Sequence, residues 1–433
     1  MKPHLKVFFH TFGCKANSCE TEAVTALLES SGYGVATDIF DADIVVVNSC
    51  TVTAEANRKA CGYIRRAKRL NPDAVTVLTG CYPQAFPESA SALDAADIVT
   101  GSSARENLPS ILSRYLEDRK RVVEIRTHRE GDSFWHVPVD VFHGRTRAFI
   151  KVEDGCDRAC SYCIVPQARG PVRSLSPDMI REQAVRFADG GYKEIVLSGI
   201  NLSSYGKGEN FGLSDAVFAA DVSGIERIRL SSLEPDLVTD ALIKNLSGCE
   251  KLCPHFHLPL QSASDRTLKS MGRLYSARDF ENTTAKLRLA FDNPTFTTDV
   301  IAGFPTETDA DFRESLDFII AFGFLKCHVF PYSPREGTSA ALLPQLPKKL
   351  REERAKILLA AADSVREKIL HEQTGTAVSV ITQRKNSTGE LEGYSERYIP
   401  VAVNAPKAVT GDLVKAVITG VRGDVCTALP SQQ

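Results

Sequence analysis

The sequence predicts an α/β protein in three parts. These are an open, mostly parallel α/β sheet over residues 1–128, a full or partial (β/α) barrel over 145–372, and a small OB-related β-barrel over 375–430. Three observations carry this. Short apolar runs alternate with helical stretches up to about residue 125; the alternation resumes on a larger scale after a polar connector; and beyond residue 375 strands follow one another without helices.

In the first part the strand-like runs are Leu5–His10, Ile44–Val47, Val75–Leu78 and Val122–Ile125, and the helices are Glu20–Glu29, Ala54–Leu70 and Ala104–Leu116. The helix over Ala54–Leu70 begins after Thr53 and is stopped by Asn71-Pro72. From Arg58 to Arg69 it carries Arg58, Lys59, Arg65, Arg66, Lys68 and Arg69 with no acid in that run, which makes it either a nucleic-acid surface or a plain solvated face. Cys14, Cys50 and Cys81 each follow an apolar strand. Ligands of open α/β sheets bind beyond the carboxyl ends of strands, so three thiols distant in sequence are expected to converge there. That pattern reads as a three-cysteine iron–sulfur site; the alternative is three buried structural cysteines.

Residues 127–144 read as a connector, polar around Thr127–Asp132 and without a period around His136–Asp140. The single tryptophan, Trp135, is expected to pack between domains.

The second part opens with a strand, Phe149–Val152, that leads into Cys156, Cys160 and Cys163. Three thiolates on one short C-x3-C-x2-C loop hold three irons of a 4Fe–4S cubane and leave the fourth iron open to a substrate. Zinc would ask for four closed ligands, usually as two C-x2-C pairs, and only Cys160 and Cys163 make such a pair here. Strands then follow at Ile195–Leu197, Ile228–Leu230, His255–Leu258, Thr298–Ile301 and Cys327–Val329. Between them lie helices at Pro177–Asp189, Asp236–Leu246, Ser264–Met271, Ala277–Ala290 and Thr308–Phe322. Functional residues of such barrels gather at the carboxyl ends of the strands. Gly199, Asn201, Ser232, Glu234, Gln261, Asp299 and Gly303 occupy that rim and are the candidate cofactor contacts. Glycine lets a backbone approach a ligand, while Glu234 and Asp299 offer acceptors to ribose hydroxyls or a ligand amine.

Lys348–His371 reads as one long charged helix. The third part has strands near Ala377–Thr382, Gly393–Val401, Leu413–Ile418 and Val425–Ala428. Barrels of this size bind single-stranded nucleic acid through aromatic and basic side chains, here Tyr394, Arg397 and Tyr398; the alternative is a packing domain.

Composition sets the outer limits. With 43% hydrophobic and 24% charged residues the chain is an ordinary globular protein, and its net charge of −2 confines any nucleic-acid binding to local patches. The N-terminal apolar run is too short for a signal peptide and no stretch is long enough to span a bilayer, so a cytoplasmic protein without a membrane partner is expected. Its 12 cysteines are then thiols or metal ligands rather than disulfides.

With these residues in view the chain resembles the radical S-adenosylmethionine (SAM) methylthiotransferases over essentially its whole length. The stretches that carry the resemblance are Thr11–Asn17, Lys151–Cys156, Tyr162–Pro166, Ala168–Ser174, Cys253–His257 and His328–Arg335. Within the family the chain is most similar to the subgroup acting on threonylcarbamoyl-adenosine, and Lys15 rather than Gln after Cys14 points away from the subgroup acting on isopentenyl-adenosine. Ala263 and Ser339 depart from the family, where Gly and Pro are common. The resemblance implies an N-terminal cluster domain, a radical SAM core and a C-terminal TRAM domain. It implies two 4Fe–4S clusters, on Cys14/Cys50/Cys81 and on Cys156/Cys160/Cys163, all six cysteines serving catalysis. It implies that one SAM donates a methyl group and another yields a 5′-deoxyadenosyl radical. The reaction implied is methylthiolation at C2 of N6-threonylcarbamoyladenosine at tRNA position 37. The implied partners are the tRNA anticodon stem-loop, an electron donor such as a flavodoxin, and a sulfur source. The alternatives are a relative acting on isopentenyl-adenosine or on a ribosomal-protein aspartate, and a non-catalytic iron–sulfur RNA-binding protein.

Overall fold

A computed structural model describes residues 5–431. Contacts divide the chain into two compact units. Of the described residues, one contains 5–139, 153–175 and 333–341; the other contains 140–152, 176–332 and 342–431. The three-cysteine loop therefore groups with the N-terminal sheet, a membership that a linear reading of the chain does not anticipate.

The first unit is built on a parallel sheet of β1 (Lys6–Thr11), β2 (Gly34–Val35), β3 (Ile44–Ser49), β4 (Val75–Gly80), β5 (Ile98–Thr100) and β6 (Val122–Glu124), in the order β2-β1-β3-β4-β5-β6. β3 and β4 are buried at every position, as interior strands covered on both faces must be. The register pairs Thr11 with Asn48 and Ser49 with Gly80, so the carboxyl ends of β1, β3 and β4 lie side by side. The helix Ala54–Leu70 starts where Thr53 Oγ1 accepts the amide of Ala56 at 3.2 Å. Trp135 is half-buried and packs against the core cluster of this sheet, which includes Val24, Leu112 and Tyr115. A short antiparallel pair, β8 (Glu153–Asp154) with β9 (Arg173–Ser174), closes the base of the cysteine loop.

The second unit contains β7 (Ala148–Lys151), β10 (Glu194–Ser198), β11 (Arg227–Leu230), β12 (His255–His257), β13 (Thr295–Ala302) and β14 (Lys326–Pro331). Two three-stranded parallel sheets, β11-β10-β7 and β12-β13-β14, meet through bridges between Ile228 and Leu252 and between Ser232 and His257. The result is a partial (β/α) barrel of six parallel strands. Capping boxes start two of its helices, Ser276 with Asp279 and Thr308 with Asp311. The predicted strands and helices are present, except that Asp236–Leu246 divides into a 3-10 turn at Pro235–Leu237 and a helix at Asp240–Leu246; an unpredicted helix stands at Leu213–Ala220. The helix Lys348–Glu372 leads to β15 (Ala377–Lys385), β16 (Leu391–Ser395), β17 (Pro400–Val403), β18 (Leu413–Arg422) and β19 (Val425–Pro430), which close as β15-β16-β17-β19-β18. Among the described residues no helix is long and apolar enough to cross a membrane.

This small barrel docks on the amino-terminal ends of the parallel strands through a buried ionic knot. Glu194, the first residue of β10, is fully buried and pairs with Arg229 at 3.0 Å, Arg147 at 3.4 Å and Arg227 at 3.6 Å. Arg229 also donates to the carbonyls of Ser395 and Glu396, both at 3.1 Å. Burial alone would raise the Glu194 carboxyl, but Arg229 and Arg147 pull it down to about 2. The folded value lies below the ordinary 4.5. The knot therefore stabilises the docked state fully above that value and loses its contribution as pH falls toward 2. Glu194→Ala is expected to cost about 3–5 kcal/mol, because it strands buried guanidinium groups. Hydrogen exchange of β15 and β16 checks this and should accelerate in the variant, and in the wild type over the same acidic range.

Candidate functional site

Two sets of cysteines lie in the first unit. Cys14 caps the helix Lys15–Ser30 just past β1, Cys50 follows β3, and Cys81 follows β4. Because those strands are neighbours, the thiols gather. Asn17 Oδ1 lies 3.9 Å from Cys14 Sγ and 3.8 Å from Cys81 Sγ. Gly13 stands against Cys50: a Cβ on Gly13 would meet Cys50 Cβ at 2.6 Å, and its φ of +105° is one that side chains rarely adopt. Asn17 is fixed by donating to the carbonyls of Phe12 at 2.8 Å and Ser49 at 3.1 Å. Cys50 and Cys81 are buried and Cys14 is exposed, so the set opens on one side.

Burial pushes the Cys81 thiol up to about 12 and also raises Cys50; Arg169 and, for Cys50, the amide of Val52 work against it. A buried thiol ligates as the thiolate only when something positive stands nearby. Arg169 meets that need, with Nε donating to Cys81 Sγ at 3.2 Å. On the Cys50 side Arg335 is buried, donates to Thr51 Oγ1 at 2.9 Å and lies 4.6 Å over the ring of Phe86.

The second set stands on the loop after β8. Gly155 makes the entry possible: its φ is +93°, and a Cβ there would fall 1.9 Å from the carbonyl oxygen of Pro171. The amide of Cys156 donates to Gly170 O at 3.0 Å and that of Cys163 to Cys160 O at 3.1 Å. The amide of Ala340 donates to Ser161 O at 2.8 Å, and Gln167 Nε2 to Gly337 O at 3.1 Å. All three thiols are half-exposed. A loop braced at both ends, with three accessible thiols in eight residues, suits a cluster that keeps one iron for a ligand. Among the described residues no three His, Cys, Asp or Glu side chains close on one point as the ligands of a single ion would. A cubane asks for a different arrangement, with its thiolates set apart on separate irons. In both sets the donors present, thiols with adjacent cationic or amide groups, fit such a cluster.

Gly199, Asn201, Ser232, Glu234, Gln261 and Gly303 lie past the carboxyl ends of barrel strands, whereas Asp299 stands within β13. The amide of Gly199 donates to Ser231 Oγ at 3.3 Å, and Asn201 Nδ2 donates to Ser204 Oγ at 2.8 Å. Ser232 bridges to His257, and Gln261 takes φ +60° while its amide donates to Asp299 O at 2.8 Å. Two of the predicted acceptors already have side-chain partners: Glu234 pairs with Arg273, and Asp299 lies 3.3 Å from His257 Nε2. At Gly303 the space a Cβ would take is filled by Arg351, with Cγ at 2.5 Å, so the helix Lys348–Glu372 supplies the reason for that glycine.

The expectation that Tyr394, Arg397 and Tyr398 offer a free stacking surface is corrected. Tyr394 and Tyr398 stack on each other at 4.5 Å, and Tyr398 stacks on His255 at 4.5 Å. Arg229 lies 5.0 Å over Tyr398 and Arg147 5.5 Å over Tyr394. Arg397 is buried, and its carbonyl accepts from Thr295 Oγ1. These side chains hold the small barrel to the large one. The basic helix is also narrower than its sequence implies. Lys68 is tied to Asp97 at 2.8 Å, and Glu55 pairs with Arg58 and Lys59. Arg65, Arg66 and Arg69 remain exposed.

Sequence reasoning did not assign roles to Asn17, Glu20, Arg105, Arg169 or Arg335. A signal existed for the first two. Cys14, Asn17 and Glu20 recur at a helical interval of three, and Asn17 and Glu20 sit on the buried face, where apolar residues belong.

Residues 6–101 match the family described as "Uncharacterized protein family UPF0004", and residues 150–319 match the radical SAM superfamily. The threonylcarbamoyladenosine tRNA methylthiotransferase MtaB of Bacillus subtilis is 37% identical over 95% of this chain and 93% of its own length. The MtaB of Aquifex aeolicus is 36% identical over 96% of this chain and 100% of its own. The tRNA-2-methylthio-N(6)-dimethylallyladenosine synthase of B. subtilis is 33% identical over 95% of this chain and 83% of its own. Among solved structures, the radical SAM methyltransferase TsrM of Kitasatospora setae, with tryptophan substrate and a SAM analogue bound, aligns with a TM-score of 0.55 at 16% identity. That alignment covers 76% of this chain and 74% of TsrM and speaks to the fold.

Proposed function

The chain belongs to the radical SAM methylthiotransferases, and from that membership we propose that it methylthiolates C2 of N6-threonylcarbamoyladenosine at position 37 of tRNA. One observation carries the reading: a three-thiol loop and a second three-thiol set are built by one compact unit, each with the donors that a 4Fe–4S cluster with an open iron requires.

The physical problem matches this equipment. The C2–H bond of adenine is unpolarised, and no side-chain base removes its proton. The bound groups supply what the protein lacks, a carbon-centred radical derived from SAM at one cluster and a place to hold sulfur at the other. The protein's own residues position and exclude. Cys156, Cys160 and Cys163 hold the SAM-cleaving cluster. Cys14, Cys50 and Cys81 hold the sulfur-carrying one. Gly199, Asn201, Ser232, Glu234, Gln261, Asp299 and Gly303 form the rim that receives SAM, with Glu234 and Asp299 acting through their partners Arg273 and His257. One SAM is the methyl donor and a second is the radical source. An electron donor such as a flavodoxin and a sulfur source complete the cycle. The sequence modules are an N-terminal cluster domain over 1–128, a radical SAM core over 145–372 and a TRAM domain over 375–430.

Mass spectrometry of tRNA nucleosides from cells with and without this gene tests the reading. The methylthio form of threonylcarbamoyladenosine should vanish without it. Loss of the methylthio form of an isopentenyl-type adenosine instead would transfer the chain to the other subgroup.

The exposed face of the basic helix supports a tRNA surface there. Arg65, Arg66 and Arg69 are exposed on the helix after the Cys50 loop, and the anticodon loop presents phosphates and splayed bases. Reversing charge at all three should weaken tRNA binding without loss of iron. It should also flatten the dependence of log K on log salt by roughly 0.7 for each phosphate contact removed. Filter binding across a salt series measures this; unchanged affinity and slope would make the helix a solvated face.

A further inference from the structure

We propose that Arg169 is the counter-ion of the N-terminal thiol site, donating to the sulfur of Cys81 and raising the reduction potential of the cluster held there. This rests on the reading that Cys14, Cys50 and Cys81 carry such a cluster.

Arg169 is 1% exposed, among the largest fully buried side chains of the protein. Its guanidinium is used on every side. Nε faces Cys81 Sγ at 3.2 Å, and Nη2 donates to Glu20 Oε2 at 3.0 Å and to Asn17 Oδ1. Nη1 donates to Glu20 Oε1 and reaches Asp154 Oδ1 at 3.3 Å. Only a planar five-donor fork fits such a set; a lysine ammonium cannot span it.

The surrounding charges explain why sulfur is needed. Arg105 takes the same Glu20 carboxylate at 2.8 Å, and Arg173 takes Asp154 Oδ2 at 3.3 Å. The guanidiniums of Arg105, Arg169 and Arg173 thus crowd around Glu20 and Asp154. A buried cation is costly unless anions meet it. The anion that Arg169 faces is the thiolate of a cluster ligand. Arg169 follows Cys163 by six residues, so the segment that carries the SAM-cleaving loop also supplies the cation of the other site.

Cluster potentials follow net charge and hydrogen bonds to sulfur. Reduction adds a negative charge, which a nearby guanidinium favours. Loss of the guanidinium charge shifts the potential down, and loss of the competing carboxylate charge shifts it up.

The test is a redox titration, followed by electron paramagnetic resonance, of the reconstituted full chain carrying Cys156→Ala, Cys160→Ala and Cys163→Ala, so that one cluster remains. In that background Arg169→Gln should lower the midpoint potential, Arg169→Lys should recover part of the shift, and Glu20→Gln should raise it, at unchanged iron content. Unchanged potentials in Arg169→Gln and Glu20→Gln with full iron, or shifts of the same sign in both, would overturn the inference and leave the cluster assignment standing. If Arg169→Gln loses its iron, Glu20→Gln decides: an upward shift supports the inference and none overturns it. A background protein that binds no iron overturns both the inference and the two-cluster reading.

Discussion

Cys160→Ala, reconstituted anaerobically with iron and sulfide, is expected to form no 5′-deoxyadenosine above background while keeping about half the iron of the wild type, since one cubane of about four irons is lost. The reason lies in the loop. Its backbone is pinned at Cys156 by Gly170 and at Ser161 by Ala340, so the remaining two thiols cannot close in to replace a lost one. Cys156→Ala and Cys163→Ala should behave alike. Substantial deoxyadenosine from any of the three would remove the assignment of this loop.

Cys81→Ala is expected to give the complementary result. About four irons per chain should be lost, SAM cleavage should persist, and no methylthio product should form. Cys81 is the thiol most deeply tied into the unit, through Asn17 and Arg169, whereas Cys14 is exposed at the mouth of the set. Cys14→Ala and Cys50→Ala should share the loss of product. A triple variant of Cys14, Cys50 and Cys81 that bound as much iron as the wild type would show the convergence to be structural only.

Much of this was legible in the chain because the signals are local. Uniform apolar runs such as Ile44–Val47 declare interior strands, and the spacing of Cys156, Cys160 and Cys163 is visible in eight letters. What escaped depends on distant partners. β2 and β5 are two and three residues long, too short to carry a period. The helix at Lys15–Ser30 begins five residues before the predicted start, because Asn17 and Glu20 are buried polar residues whose partners lie outside the helix. The misreading of Tyr394 and Tyr398 has the same origin. Aromatic residues on a small barrel look like a nucleic-acid platform until His255, Arg147 and Arg229, all more than a hundred residues earlier, are placed against them. The grouping of residues 153–175 with the N-terminal sheet is also a long-range fact, carried by pairs such as Arg169 with Glu20.

The central claim is that a hydrogen atom leaves C2 of a threonylcarbamoyl-adenosine in tRNA and a methylthio group takes its place. Its most direct test is mass spectrometry of a single reaction, using the reconstituted full chain, SAM, a reductant, sulfide and tRNA deuterated at C2 of that base. The account predicts 5′-deoxyadenosine carrying one deuterium, together with a nucleoside in which SCH3 has replaced the C2 deuterium. Unlabelled deoxyadenosine with an unmodified, still deuterated nucleoside would contradict it.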